Sequence, residues 1–207
     1  MSSTKVYLAD AGSTDGTLDI TRGYSEWLDI EVIPGGLPAV GRNNGARRAQ
    51  TPYVLFLDAD IELADRSLVR RAVDAMQRRK LHCITTNIAC PTGNLMDRLL
   101  YRGNNVMQQL SRLYKPFSTG MFMLVEKECF DALGGFHEHA LYAEDYLLSQ
   151  KISRNKFTIV PGSVLTTNRR FQKMGHARLT RLFLNTALHT WNESYFLRDH
   201  KYWHPGA

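Results

Sequence analysis

Asp58 and Asp60 stand one residue apart, directly after the apolar run Tyr53–Leu57 (YVLFL). Hard carboxylate oxygens at that spacing can share a divalent cation, Mg²⁺ or Mn²⁺, with the phosphates of a ligand. The same pair can also be an Asp-rich turn capping the next helix. Position favours the ion, because ligands of open α/β sheets collect at the carboxyl ends of strands. Three further groups stand out. Asp10 opens the turn DAGSTDGT, where glycines permit close backbone approach and the carboxylate can accept hydrogen bonds from a base or ribose. That stretch reads equally well as a polar turn with Ser13 or Thr14 as a helix N-cap, and no Gly-Lys-Ser/Thr follows to make it a Walker loop. Arg42, in GRNNG, can neutralise a diphosphate or hold a base edge, or be a solvated surface charge. Glu144 and Asp145, in YAEDYLLSQKI, are adjacent acids at a helix start, suited to general-base work or to simple capping.

These residues need a scaffold, and the hydrophobic pattern supplies one. Lys5–Ala9, Asp29–Ile33, Tyr53–Leu57 and the stretches 82–87, 120–125 and 157–160 read as strands. Between them, 17–28, 39–50, 95–113, 127–133 and 143–154 read as helices, as does the amphipathic run of Leu68, Val69, Ala72, Val73 and Met76. Strands alternating with helices give an α/β fold. YVLFL, continuous and apolar, is expected to be buried on both faces of a parallel sheet. A helix over 177–190 is expected in the tail.

With 207 residues, one core needs no staple. Three cysteines, Cys83, Cys90 and Cys129, without CxxC spacing, suggest reduced thiols in a cytoplasmic setting and exclude a zinc ribbon. No apolar stretch reaches the roughly 18–20 residues that span a bilayer. Lys and Arg number 26 against 20 Asp and Glu, a charge of +6 that suits an anionic partner. The basic residues are dispersed and lack an aromatic platform, which argues against nucleic acid.

Taken in order, the motifs resemble the family 2 glycosyltransferases of the GT-A fold. LADAGSTDGT looks like that family's acidic nucleotide-binding turn, GRNNGARRAQTPYVLFLDAD like its Arg-bearing helix leading to DxD, STGMFMLVEKECFDALGGF like its acceptor-side segment, and YAEDYLLSQKI like its catalytic acid pair. The resemblance covers about residues 5–170. It implies a Rossmann-like α/β single domain, a central mostly parallel sheet flanked by helices, over residues 1–170, with 171–207 as a basic, aromatic helical tail. It also implies inverting, metal-dependent transfer from a nucleotide-diphosphate sugar, UDP-sugar favoured, to an acceptor hydroxyl or phosphate on a glycan or lipid-linked molecule. By the same resemblance Asp10, Arg42 and Asp58 contact the nucleotide, and Asp60 with Asp58 holds Mn²⁺ or Mg²⁺. Asp145 is the base, oriented by Glu144. In TTNRRFQKMGH, Arg169 and Arg170 can meet diphosphate or an anionic acceptor and His176 can add a metal ligand, or all three can be ordinary surface residues.

Family members ordinarily begin one strand earlier, with a Pro-x-Tyr-Asn-like turn. The strand at Lys5 corresponds to their second, so the expectation is a strand from an upstream segment or a partner, or a chain that binds without turnover. A phosphatase of the haloacid dehalogenase type also carries DxD after an apolar strand, but Ile61-Glu62 lacks the Gly-Thr that usually follows. In the tail, Leu179, Leu182, Phe183, Leu184, Trp191, Tyr195, Phe196 and Trp203 among Arg and Lys suggest either contact with the inner face of a membrane or a helix packed on the core.

Overall fold

The computed structural model describes residues 4–200 and Tyr202. Six strands alternate with helices in the order β1 (Lys5–Asp10), α1 (Thr17–Gly23), β2 (Asp29–Pro34), α2 (Pro38–Arg48), β3 (Tyr53–Leu57), α3 (Leu68–Arg79), β4 (Cys83–Ala89), α4 (Leu95–Ser111), β5 (Phe122–Glu126), α5 (Lys127–Ala132), α6 (Glu144–Gln150), β6 (Phe157–Leu165), α7 (Arg169–Met174), α8 (His176–Leu188) and α9 (Glu193–Phe196). The architecture is the expected mixed α/β type. Its longest ladders, β1 with β2 and β4 with β6, are parallel.

Hydrogen bonding divides the strands into a β1-β2 pair and a four-stranded sheet of order β3-β5-β4-β6. Among the described residues β1 pairs only with β2, and β3 only with β5. This corrects the expectation for YVLFL. β3 runs antiparallel to β5 and buries only Phe56 fully, while Leu57 is 40% exposed. β5 is buried on both faces, its residues alternating between two cores as strand geometry requires. Met123 and Val125 face a core with Phe56, Phe130, Phe136 and Leu148; Phe122 and Leu124 face one with Leu68, Met76, Ile84 and Val164.

Local chemistry explains how the site-bearing helices are set. α2 begins with Pro38 in its first turn, where the missing N–H is harmless, and ends on Arg47 and Arg48, which favour the negative end of the helix dipole. It lies against β1 through small residues: a Cβ on Gly41 would sit 3.0 Å from Ala9 Cβ, and one on Gly45 3.6 Å from Tyr7 Cβ. α4 starts with a capping box, in which the Asp97 amide donates to the Asn94 side chain at 3.0 Å and the Asn94 amide donates to Asp97 at 2.8 Å. Asp97 is fully buried and also accepts from Asn168 (2.9 Å) and pairs with His176 Nε2 (2.6 Å). Burial works against its charge, but these hydrogen bonds outweigh that and hold the carboxyl below its ordinary range. One acid thereby joins α4 to the start of α8.

The tail divides its apolar residues. Leu179, Leu182, Tyr195 and Phe196 are buried, so a good part of it packs on the core; Phe183, Leu184 and Trp191 are exposed. Trp203 lies outside the described residues. α8 is tied to α6 and the residues before it by hydroxyl pairs, Tyr142 with Thr186 at 2.9 Å and Tyr146 with Thr190 at 2.8 Å.

Candidate active site

Arg42 emerges from α2 into the interior rather than onto the surface. Its side chain is only 13% exposed, and it forks between two acids from distant segments: Nη2 donates to Asp58 Oδ1 at 2.6 Å, and Nη1 donates to Glu144. Its guanidinium also lies 5.4 Å from the centre of the Phe136 ring. Asp145 follows in the same helical turn, its Oδ2 accepting from the Gly120 amide and its Oδ1 from the Tyr146 amide at 2.7 Å. One cation thus serves three carboxylates.

The electrostatics follow from that count. For Arg42, burial opposes the charge, but Asp58, Glu144 and Asp145 more than reverse it, and the guanidinium is held firmly protonated. Burial raises both Glu144 and Asp145 above the ordinary carboxylate range, and for Glu144 the neighbouring Asp145 adds to the rise; Arg42 offsets only part of it. Two adjacent acids of this kind titrate as a pair.

Glycine and backbone geometry make the arrangement possible. A Cβ on Gly120 would come within 2.7 Å of Arg42 Cζ, so the loop before β5 approaches the guanidinium as only glycine can. Ala143, just ahead of the acid pair, has φ 52°, a left-handed conformation costly for a residue with a Cβ. It turns the chain so that Glu144 points inward at Arg42. On the other flank, buried Asn43 receives the Phe136 amide (3.0 Å) and donates to the Phe136 carbonyl and Glu138 (both 2.9 Å). Replacing Asn43 with Ala strands the buried Phe136 groups, so urea unfolding should show a loss of about 1–3 kcal/mol.

These groups line one cavity of about 870 Å³. Arg42, Asp58, Asp60, Glu144, Asp145, Arg169 and Arg170 all contribute to its wall, seven of the nine site residues expected from sequence. Asp60 pairs with Arg169 at 3.0 Å, and Arg170 donates to the Tyr202 carbonyl at 3.0 Å while stacking over that ring. Asp10 and His176 are not brought to this wall. Asp10 folds onto its own turn, accepting from the Gly12 amide at 2.9 Å and the Ser13 amide at 3.1 Å. Those bonds, led by Ser13, lower its pKa. The cap of α1 is Gly16, preceded by Asp15 bonded to Thr17, rather than Ser13 or Thr14. His176 is engaged by Asp97 and stacks on Phe171, which leaves it away from the acids it was expected to join. Gly120, Ala143 and Asn43 carry no sequence signal of their own, since their roles arise from contacts across 25 residues or more or from backbone conformation; the local Asn94–Asp97 capping box gives no hint of Asp97's partners 71 and 79 residues on.

Among the described residues no group of three or more His, Cys, Asp or Glu is arranged to hold a metal. Asp58 and Asp60, with side chains 28% and 41% exposed, nevertheless fit an ion of the Mg²⁺ or Mn²⁺ kind, which takes one or two carboxylates and completes its shell with phosphate and water.

The sequence matches the family described as Glycosyl transferase family 2 over residues 2–135. The chain belongs to this family. Within the family fold, it resembles the mannosyltransferase PcManGT from Pyrobaculum calidifontis, solved in complex with GDP-Man and Mn²⁺, with a TM-score of 0.65 at 18% identity over 89% of this chain and 55% of that one. S. aureus TarS 1-349 in complex with UDP superposes with a TM-score of 0.58 at 19% identity, covering 79% of this chain and 51% of that one. A curated relative, validoxylamine A glucosyltransferase of Streptomyces hygroscopicus subsp. jinggangensis (strain 5008), is 39% identical over 61 residues, 28% of this chain and 14% of its own length. The chain therefore spans about half of these solved structures and a small part of that relative. GT-A architecture agrees with the α/β order and with the acids at the sheet's edge.

Proposed function

We propose that this family 2 chain transfers a sugar from a nucleotide-diphosphate sugar to an acceptor oxygen, with inversion. The observation that carries the reading is the convergence of Arg42, Asp58, Glu144 and Asp145 on one cavity from three separate segments of chain. Asp145 is the base. Its two oxygens are fixed by the Gly120 and Tyr146 amides, yet it still reaches the cavity, whereas Glu144 is buried against Arg42. Glu144 is therefore a positioning residue. It holds Arg42 where the departing diphosphate gathers charge.

In the reaction the acceptor oxygen attacks the anomeric carbon from the face opposite the diphosphate. A C–O bond forms to the acceptor, the bond to the diphosphate breaks with its electron pair, and the acceptor's proton passes to Asp145. Arg42 and Arg169 face the developing negative charge in a partly enclosed site, where such pairing is worth more than in water. A divalent ion bound by Asp58 and Asp60 would add electrostatic stabilisation of the same leaving group. The Mn²⁺ and the nucleotides found with PcManGT and TarS support this reading of donor and ion. The phosphatase alternative asks Asp58 to act as a free nucleophile, and Asp58 is tied to Arg42.

The test is thermal stabilisation by UDP, GDP, CDP and dTDP, with and without Mn²⁺. UDP with Mn²⁺ is expected to stabilise most, by about 2.7 kcal/mol at one hundred times its Kd. Asp60→Ala should remove the metal-dependent part while folding normally, because its exposed pair with Arg169 contributes no more than about 1 kcal/mol. No shift with any nucleotide overturns the reading.

A further inference from the structure

The cavity is larger and more apolar than a sugar diphosphate requires. Beyond the acids its wall carries an apolar row, Leu100, Met107 and Leu110 on α4, then Phe117, Phe183 on α8 and Trp191, beside polar groups such as Asn104, Ser111 and Thr186. Lys115, Lys173, Arg169 and Arg170 are basic lining groups. Lys115 Nζ sits 4.8 Å over the Trp191 ring. Two further wall groups await partners: Asn104 Nδ2 and Gln150 Oε1 are buried with no hydrogen bond.

The helix face beside the groove extends the pattern. Leu99, Val106 and Leu113 recur at seven-residue spacing on α4 and just past its end and are 47%, 56% and 72% exposed; on α8, Leu184 and Leu188 are 62% and 75% exposed. α4 and α8 pack on one another, and both also contribute to the cavity wall. Arg102 stands three residues after Leu99 and four before Val106, and Arg181 three before Leu184, so cations accompany these apolar side chains, a combination complementary to the headgroups and acyl boundary of an anionic bilayer.

We propose that the acceptor is lipid-borne: its reacting head lies at Asp145, its chain lies along the α4–α8 groove, and the exposed strip rests on the anionic membrane that carries it. This deepens the glycosyltransferase reading and rests on it. The basic groups near the acids then serve two anions, the donor diphosphate and a phosphate-bearing head.

The experiment has two arms on the same protein. In flotation at low salt, the chain is expected to rise with vesicles of 3:1 POPC:POPG and to stay behind with POPC alone. Leu99→Glu, Val106→Glu and Leu113→Glu combined, all at exposed positions and outside the cavity wall, should abolish flotation and leave the nucleotide-induced rise in Tm intact. In the second arm, farnesyl phosphate is expected to raise Tm where equimolar inorganic phosphate does not. Absence of flotation, or of the farnesyl phosphate shift, overturns the inference. So does concentration-dependent dimerisation removed by the same three substitutions, which would give the strip to a second copy. A failed nucleotide shift with flotation intact would instead strike the donor reading.

Discussion

Asp145→Asn is expected to lower turnover by about 10²–10⁴-fold, the range in which a positioned general base acts, with nucleotide stabilisation preserved. Asparagine keeps the shape, but its single carbonyl oxygen replaces only one of the two oxygens that accept from the Gly120 and Tyr146 amides, and it cannot take the acceptor's proton. Because burial, with Asp58 adding to it, lifts Asp145, the rate in the unaltered protein should climb with pH along a limb lying above the ordinary carboxylate range. Protonated Asp145 is no base, so the rate falls as pH drops through that raised value. In the variant this limb should disappear from whatever rate remains. Full activity with the fold intact would remove Asp145 from the role.

Much of this site is visible in the chain itself because the chemistry-bearing residues sit at element ends marked by local pattern. The apolar runs at β3 and β5, the helical spacing of α3 and the acids opening α6 are short-range signals, and the structure places those elements where they were expected. What the pattern could not convey is partnership. YVLFL and FMLV are alike as apolar strings, yet β3 lies at the sheet's edge while β5 lies between β3 and β4 and puts buried side chains into both cores. Arg42 looks like any helix-borne arginine until Asp58, 16 residues on, and Glu144, 102 residues on, close around it. His176 reads as a metal ligand or an ordinary surface residue because its partner Asp97 is 79 residues away. Gly120 is one glycine among 15, singled out only by how near Arg42 Cζ a Cβ would come.

Arg42→Ala should produce the largest loss of stability, about 3–5 kcal/mol, since removing one partner leaves buried charge without compensation. Asp58, Glu144 and Asp145 would then face one another with no cation among them. The relief available is protonation, which fixes the sign of the pH dependence. The folded pair already binds its protons more tightly than the unfolded chain, and loss of Arg42 tightens that further. A group raised on folding contributes stability in full below its unfolded pKa and loses it as pH rises through the folded value. The variant should therefore be closest to the unaltered protein near pH 5 and furthest from it near pH 8, as read by urea midpoints across that span. Arg42→Lys restores one positive charge but not the two-pronged fork, so it should recover part of the stability and little of the nucleotide binding. A pH-independent deficit in the alanine variant would mean that Arg42 acts through packing on Phe136 rather than by holding the three acids together.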